Sequence, residues 1–95
     1  MKDYELGLIF HPSLDQADVQ PAIDKVSRYI QTGGGNVASV SVWGRRPLAY
    51  PIQRQQEGTY VFVQAQLESR AIGELERSLK LDEGIIRYLL VHKEA

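Results

Sequence analysis

The sequence predicts an α+β fold of element order βαββαβ: four antiparallel strands in one sheet, with two helices packed on one face. Three observations carry this. Apolar and polar residues alternate with period two over residues 2–10, 36–43, 59–67 and 85–92. Between the first and second of these, and between the third and fourth, apolar residues recur every three or four positions instead. The elements form two βαβ halves, and right-handed crossovers bring both helices to the same side of the sheet.

In the first strand Tyr4, Leu6, Leu8 and Phe10 alternate with Glu5, Gly7 and Ile9, and His11-Pro12-Ser13 ends it because proline cannot continue a central ladder. A helix over 16–32 carries Val19, Ala22, Ile23, Val26 and Ile30, with Asp15 as N-cap and Asp18 three positions later. Pro21 opposes the first turns of that helix, so it either begins near residue 20 or is kinked there. Gly33-Gly34-Gly35 stops the helix, one of them in the left-handed conformation. A phosphate cradle is the weaker reading of these glycines, since a helix carboxyl end is electronegative.

The second strand places Val40 and Val42 on one face and Ser39, Ser41 and Trp43 on the other, then runs irregularly to Ile52. Pro47 and Pro51 make it an edge strand. Gln53 to Gly58 reads as a polar turn. In the third strand Val61, Val63, Ala65 and Leu67 face one way and Tyr60, Phe62, Gln64 and Gln66 the other. Ser69 caps a second helix with Ile72, Leu75 and Leu79 on its core stripe, and Asp82-Glu83-Gly84 ends it. The last strand, 85–92, alternates Ile86, Tyr88, Leu90 and His92 against Arg87, Leu89 and Val91. The predicted core is Leu6, Leu8, Ile23, Val26, Ile30, Val61, Val63, Leu75, Leu79 and Leu90. With the first and third strands central, the other sheet face shows Ile9, Tyr60, Phe62, Leu89 and Val91, which is too apolar to be left to water.

At 95 residues the chain is expected to form a single domain, 1–95, with one core. The absence of cysteine excludes disulfide and thiolate chemistry and fits a cytoplasmic protein. No apolar run reaches membrane-spanning length, and an acid near the start leads us to expect no secretory signal. His11 and His92 have no neighbours at metal-ligand spacing. There is no G-x-S-x-G, P-loop or dinucleotide fingerprint. Glu74, Glu76, Asp82 and Glu83 read as solvated acids of a helix surface and not as an acid/base pair. An acylphosphatase-like hydrolase would need an arginine-bearing loop after the first strand, where this chain has His11-Pro12-Ser13-Leu14. No enzyme activity and no cofactor are expected.

The formal net charge is −1, which tells against indiscriminate nucleic-acid binding. The average conceals a basic field. Residues 25–56 contain Lys25, Arg28, Arg45, Arg46 and Arg54 and no carboxylate. At its centre lies Trp43-Gly44-Arg45-Arg46-Pro47-Leu48-Ala49-Tyr50-Pro51-Ile52, with paired guanidinium groups between aromatic rings, a combination suited to phosphate contact and base stacking. An irregular edge strand with merely solvated arginines is the alternative.

This stretch, with Tyr4-Glu5, Pro12-Ser13-Leu14-Asp15 and Gly58-Thr59-Tyr60, resembles the bacterial small-subunit ribosomal protein six family over essentially the whole chain. The resemblance implies a ferredoxin-like fold. It also implies a structural protein that binds small-subunit ribosomal RNA in the platform, as a heterodimer with small-subunit ribosomal protein eighteen. No membrane and no small-molecule substrate are implied. Candidate RNA- or partner-binding residues are Lys2, Trp43, Arg45, Arg46, Tyr50, Arg54, Arg87 and Lys93. Pro47 departs from the polar or basic residue that members often carry there, and the acidic tail of some members is not read here, so tail modification is not carried over. The rival from another class is a ferredoxin-like regulatory or ligand-binding module that forms a homodimer through its sheet.

Overall fold

A computed structural model describes residues 1–93 as β1 (Lys2–Phe10), α1 (Gln16–Thr32), β2 (Asn36–Ile52), β3 (Gln55–Leu67), a 3-10 turn (Ser69–Ala71), α2 (Ile72–Leu81) and β4 (Ile85–His92). The final positions of the expected 1–95 unit, and with them the reading about an acidic tail, lie outside the described residues. The sheet order is β2-β3-β1-β4 with every neighbouring pair antiparallel, so β1 and β3 are central as predicted. This is the ferredoxin-like α+β fold.

One face of the sheet packs against both helices. Leu6, Leu8 and Phe10 of β1 meet Val61, Val63, Ala65 and Leu67 of β3, with Ile23, Val26 and Ile30 of α1 and Leu75 and Leu79 of α2 above them. Burying each such side chain contributes roughly 1.5–3 kcal/mol relative to exposure. Leu90 is only partly buried at the margin of this cluster, whereas Phe10, Ala65, Leu67 and Ile85 join it beyond the predicted set.

Helix α1 starts at Gln16 and runs through Pro21, not from residue 20. The proline removes the hydrogen bond that Ala17's carbonyl would accept, a loss softened because Ala17 is exposed to water. Asp15 occupies the N-cap with extended backbone, but its carboxylate makes no capping bond. At the other end the predicted left-handed glycine is Gly34, with φ of 85°. Its N–H donates to Gln31 O at 2.9 Å and that of Gly35 donates to Ile30 O at 3.0 Å, which closes the helix in a Schellman arrangement.

The segment after Trp43 continues β2 as the expected edge strand, and its irregularity lies in register shifts against β3 at Val37/Ser39, Val42/Gly44 and Pro47/Ile52. Three expectations need correction. The polar turn shrinks to Gln53 and Arg54, both left-handed with φ of 50° and 67°, and β3 begins at Gln55. Paired positive φ values mark a two-residue hairpin, a turn that normally advertises itself with Asn-Gly. Ser69 caps nothing: it opens the 3-10 turn, and α2 follows from Ala71 without a side-chain cap. In β4 the register slips between Ile9 and Phe10, so Ile85 and Ile86 are both buried where strict alternation would bury one.

Candidate nucleic-acid interface

Period two along the central strands sends Glu5, Gly7 and Ile9, then Tyr60, Phe62 and Gln64, to the face away from the helices. Much of that face is covered by the chain itself. Pro47 pairs with Glu57 and Ile52 with Gln55, so five steps along β2 answer two along β3. The surplus residues Leu48 to Pro51 leave the ladder and lie over the sheet. Of these, Leu48, Ala49 and Tyr50 join Ile9, Tyr60, Phe62 and Leu89 in lining a half-open apolar pocket of about 250 Å³.

From this arch Tyr50 reaches the opposite edge strand. Its hydroxyl accepts a hydrogen bond from the Arg87 guanidinium, whose Cζ lies 5.8 Å from the ring centroid. Gln53 Nε2 donates to Ile86 O at 3.4 Å nearby. Trp43 rests its ring tilted on Phe62 at 4.7 Å, and Arg46 Cζ sits 5.2 Å from the Trp43 centroid. Both rings stay open to solvent, Trp43 at 54% and Tyr50 at 56% exposure. Each cation–π pair presents a guanidinium beside an accessible ring.

The predicted site residues therefore divide. Trp43, Arg46, Tyr50 and Arg87 come together on the open face, and Arg54 stands exposed at the hairpin tip. Lys93 shares that face but lies ~20 Å along the strand direction from Arg87. There its Nζ donates to Gln64 Oε1 at 3.1 Å, and Gln64 in turn donates to Glu5. Arg45 turns to the other side, donating to Pro12 O and sitting 3.5 Å from Glu57, beside Leu14 and Val42. Glu57 bounds the acid-free segment in sequence, and the β2–β3 pairing folds it back onto that segment. Lys2 shares the parity of Leu6 and Leu8, so it projects toward the helix side.

A second polar cluster went unread in the sequence. Asp82 accepts from Tyr29 Oη at 2.9 Å and from Gly84 N–H at 2.9 Å, with Lys25 Nζ at 3.5 Å. Its side chain is only 9% exposed, so the solvated-acid reading fails for Asp82. The Asp82 carboxylate raises the Lys25 pKa, and burial followed by the bond to Asp82 raises that of Tyr29. The cluster ties α1 to the turn between α2 and β4. Among the described residues no His, Cys, Asp or Glu side chains are grouped to hold a metal ion, and no helix is long and apolar enough to cross a membrane.

Fold and face together define a ferredoxin-like protein with a cation–aromatic surface on its helix-free side. The family profile of ribosomal protein S6 matches residues 3–92. The small ribosomal subunit protein bS6 of Corynebacterium glutamicum is 42% identical over 87 residues, covering 92% of each chain. That of a Nocardioides species is 40% identical over 95 residues, covering 100% of this chain and 99% of the relative. The crystal structure of 30S ribosomal protein S6 from Thermotoga maritima has the same fold, with a TM-score of 0.90 at 24% identity over 97% of this chain and 87% of that one. The chain belongs to the ribosomal protein S6 family, and so to the ribosomal proteins of the small subunit, as its motifs imply.

Proposed function

We propose that this chain is a structural ribosomal protein without enzymatic activity, which binds small-subunit ribosomal RNA in the platform as a heterodimer with small-subunit ribosomal protein eighteen. It acts in the cytoplasm, on the ribosome, and requires no cofactor or small-molecule substrate. The observation that carries the reading is the Trp43–Arg46 pair. Its guanidinium has no carboxylate within ion-pair distance among the described residues, whereas Arg45 is held by Glu57. Arg46 is thus free for a phosphate, and the ring beneath it for a base or sugar.

Shared binding follows from charge and surface. A net charge of −1 provides too little cation excess for strong solitary binding. Val40 and Val42 on the β2 edge, and Leu89 and Val91 on the β4 side, remain exposed and offer a partner apolar area. Family membership sets this reading ahead of a homodimeric ligand-binding module. Titrating platform RNA with each protein singly and then with both tests it. The pair should bind about 5- to 150-fold more tightly than the separate proteins imply. Tight, specific binding by this chain alone would overturn the shared mode.

A further inference from the structure

We propose that Arg87 is a positioning residue. By clasping Tyr50 it holds the β2–β3 hairpin across the open face and fixes where the tip, with Arg54, stands. This inference rests on the RNA reading above, since it names which cations act there directly and which act through another group.

Edges β2 and β4 are separated by β3 and β1, a span of ~14 Å at the ordinary strand spacing. A side chain within a β2 ladder does not bridge that distance. Only because residues 48–51 leave the ladder does Tyr50 come to lie against Arg87. The guanidinium donates an N–H to the tyrosine hydroxyl, which brings its Cζ to 5.8 Å from the ring centroid. Gln53, at the turn itself, adds the tie to Ile86 O, one residue before Arg87.

The hairpin needs such ties. Its turn residues Gln53 and Arg54 are both left-handed without being glycine, which costs free energy that the surroundings must offset. The stretch beneath is apolar, with Leu48 and Ile52 lining one half-open pocket with Ile9 and Tyr60, and a loosened arch would expose more of that lining to water. Arg46 differs, because its backbone is paired with Gly58 inside the ladder and does not depend on the clasp. Arg54 has only the turn.

Two variants separate positioning from direct contact. Arg87→Lys keeps a charge that can meet a phosphate but loses the forked guanidinium whose N–H engages the Tyr50 hydroxyl. Tyr50→Phe keeps the ring and loses the hydroxyl. Hydrogen exchange is read at residues 48–55 in the free protein. Affinity and its salt slope are read with platform RNA, in the presence of small-subunit ribosomal protein eighteen. Both variants should speed exchange at the hairpin and weaken binding by about three- to tenfold with the salt slope unchanged, and the double variant should be no worse than either single one. Arg54→Ala and Arg46→Ala should each lower the slope by about one.

Full affinity in Arg87→Lys with unchanged exchange would overturn the proposal and make Arg87 a plain phosphate contact. Additive losses in the double variant would do the same. If the unaltered pair of proteins binds no platform RNA, the RNA reading itself fails, and the exchange data still decide for or against the clasp.

Discussion

The two faces of this sheet are covered by different physics. On the helix side, Leu6, Leu8, Val61 and Val63 are sealed under α1 and α2, and the stabilisation is apolar area removed from water. On the other side the cover is an arch of the chain's own β2–β3 hairpin, tied to β4 by the Tyr50–Arg87 contact and the Gln53 amide, with the Trp43–Arg46 pair beside it. Those contacts are partly exposed, so each is worth little. The first face makes the protein stable. The second leaves aromatic and cationic groups at the surface while keeping them in order.

Breaking the first face should therefore have the largest effect. Phe10→Ala should cost about 3–5 kcal/mol and Leu75→Ala about 2–5 kcal/mol, read as a shift in urea midpoint. A loss below half a kcal/mol at both would mean the burial of this face is wrongly described. Next comes the Asp82 cluster, which bridges elements without belonging to either face. Asp82→Ala leaves the Tyr29 hydroxyl and the Gly84 N–H without their partner and should cost about 1–3 kcal/mol.

On the second face, Arg45→Ala with Arg46→Ala should shift stability by less than about 1 kcal/mol. The same double variant should assemble poorly into a reconstituted small-subunit platform. An assembly defect no greater than its lost stability accounts for would make the arginines structural.

The smallest effect is pH dependence. Lys25 and Tyr29 both hold their protons more tightly in the folded chain, so their contribution is whole below pH ~10 and is lost as pH rises through their raised folded values. The stability gap between the unaltered protein and Asp82→Ala should accordingly narrow above that pH. A gap constant across the range would show that Asp82 acts only through its bond to Gly84.

The helix-covered face was legible in the sequence because two periodicities agree there. Alternation in β1 and β3 and the three-four spacing in α1 and α2 point to the same residues. The hairpin was not, for local reasons. Gln53-Arg54 carries none of the usual turn chemistry, so the sequence alone starts β3 at Thr59 and assigns Gln55 to Gly58, which pair with β2 behind the arch, to a turn. Among the candidate residues, Trp43, Arg46 and Tyr50 were visible as an interleaved motif. What spacing could not reveal was pairing at long range. Tyr50 and Arg87 meet across 37 positions, Arg45 is paired by Glu57 only through a strand register, and Asp82 is buried by Tyr29 from 53 positions away.

The central place of β1 also sets a timetable. Its neighbours are β3 and β4, the later elements of the chain, so both edges of the first strand wait for residues made long after it. At ~5–20 residues per second, synthesis takes on the order of ten seconds to go from Phe10 to His92. During that interval Leu6 and Leu8 have no finished sheet to join. The fold closes late and almost at once, and a nascent chain lacking β4 leaves its oldest strand with an open edge.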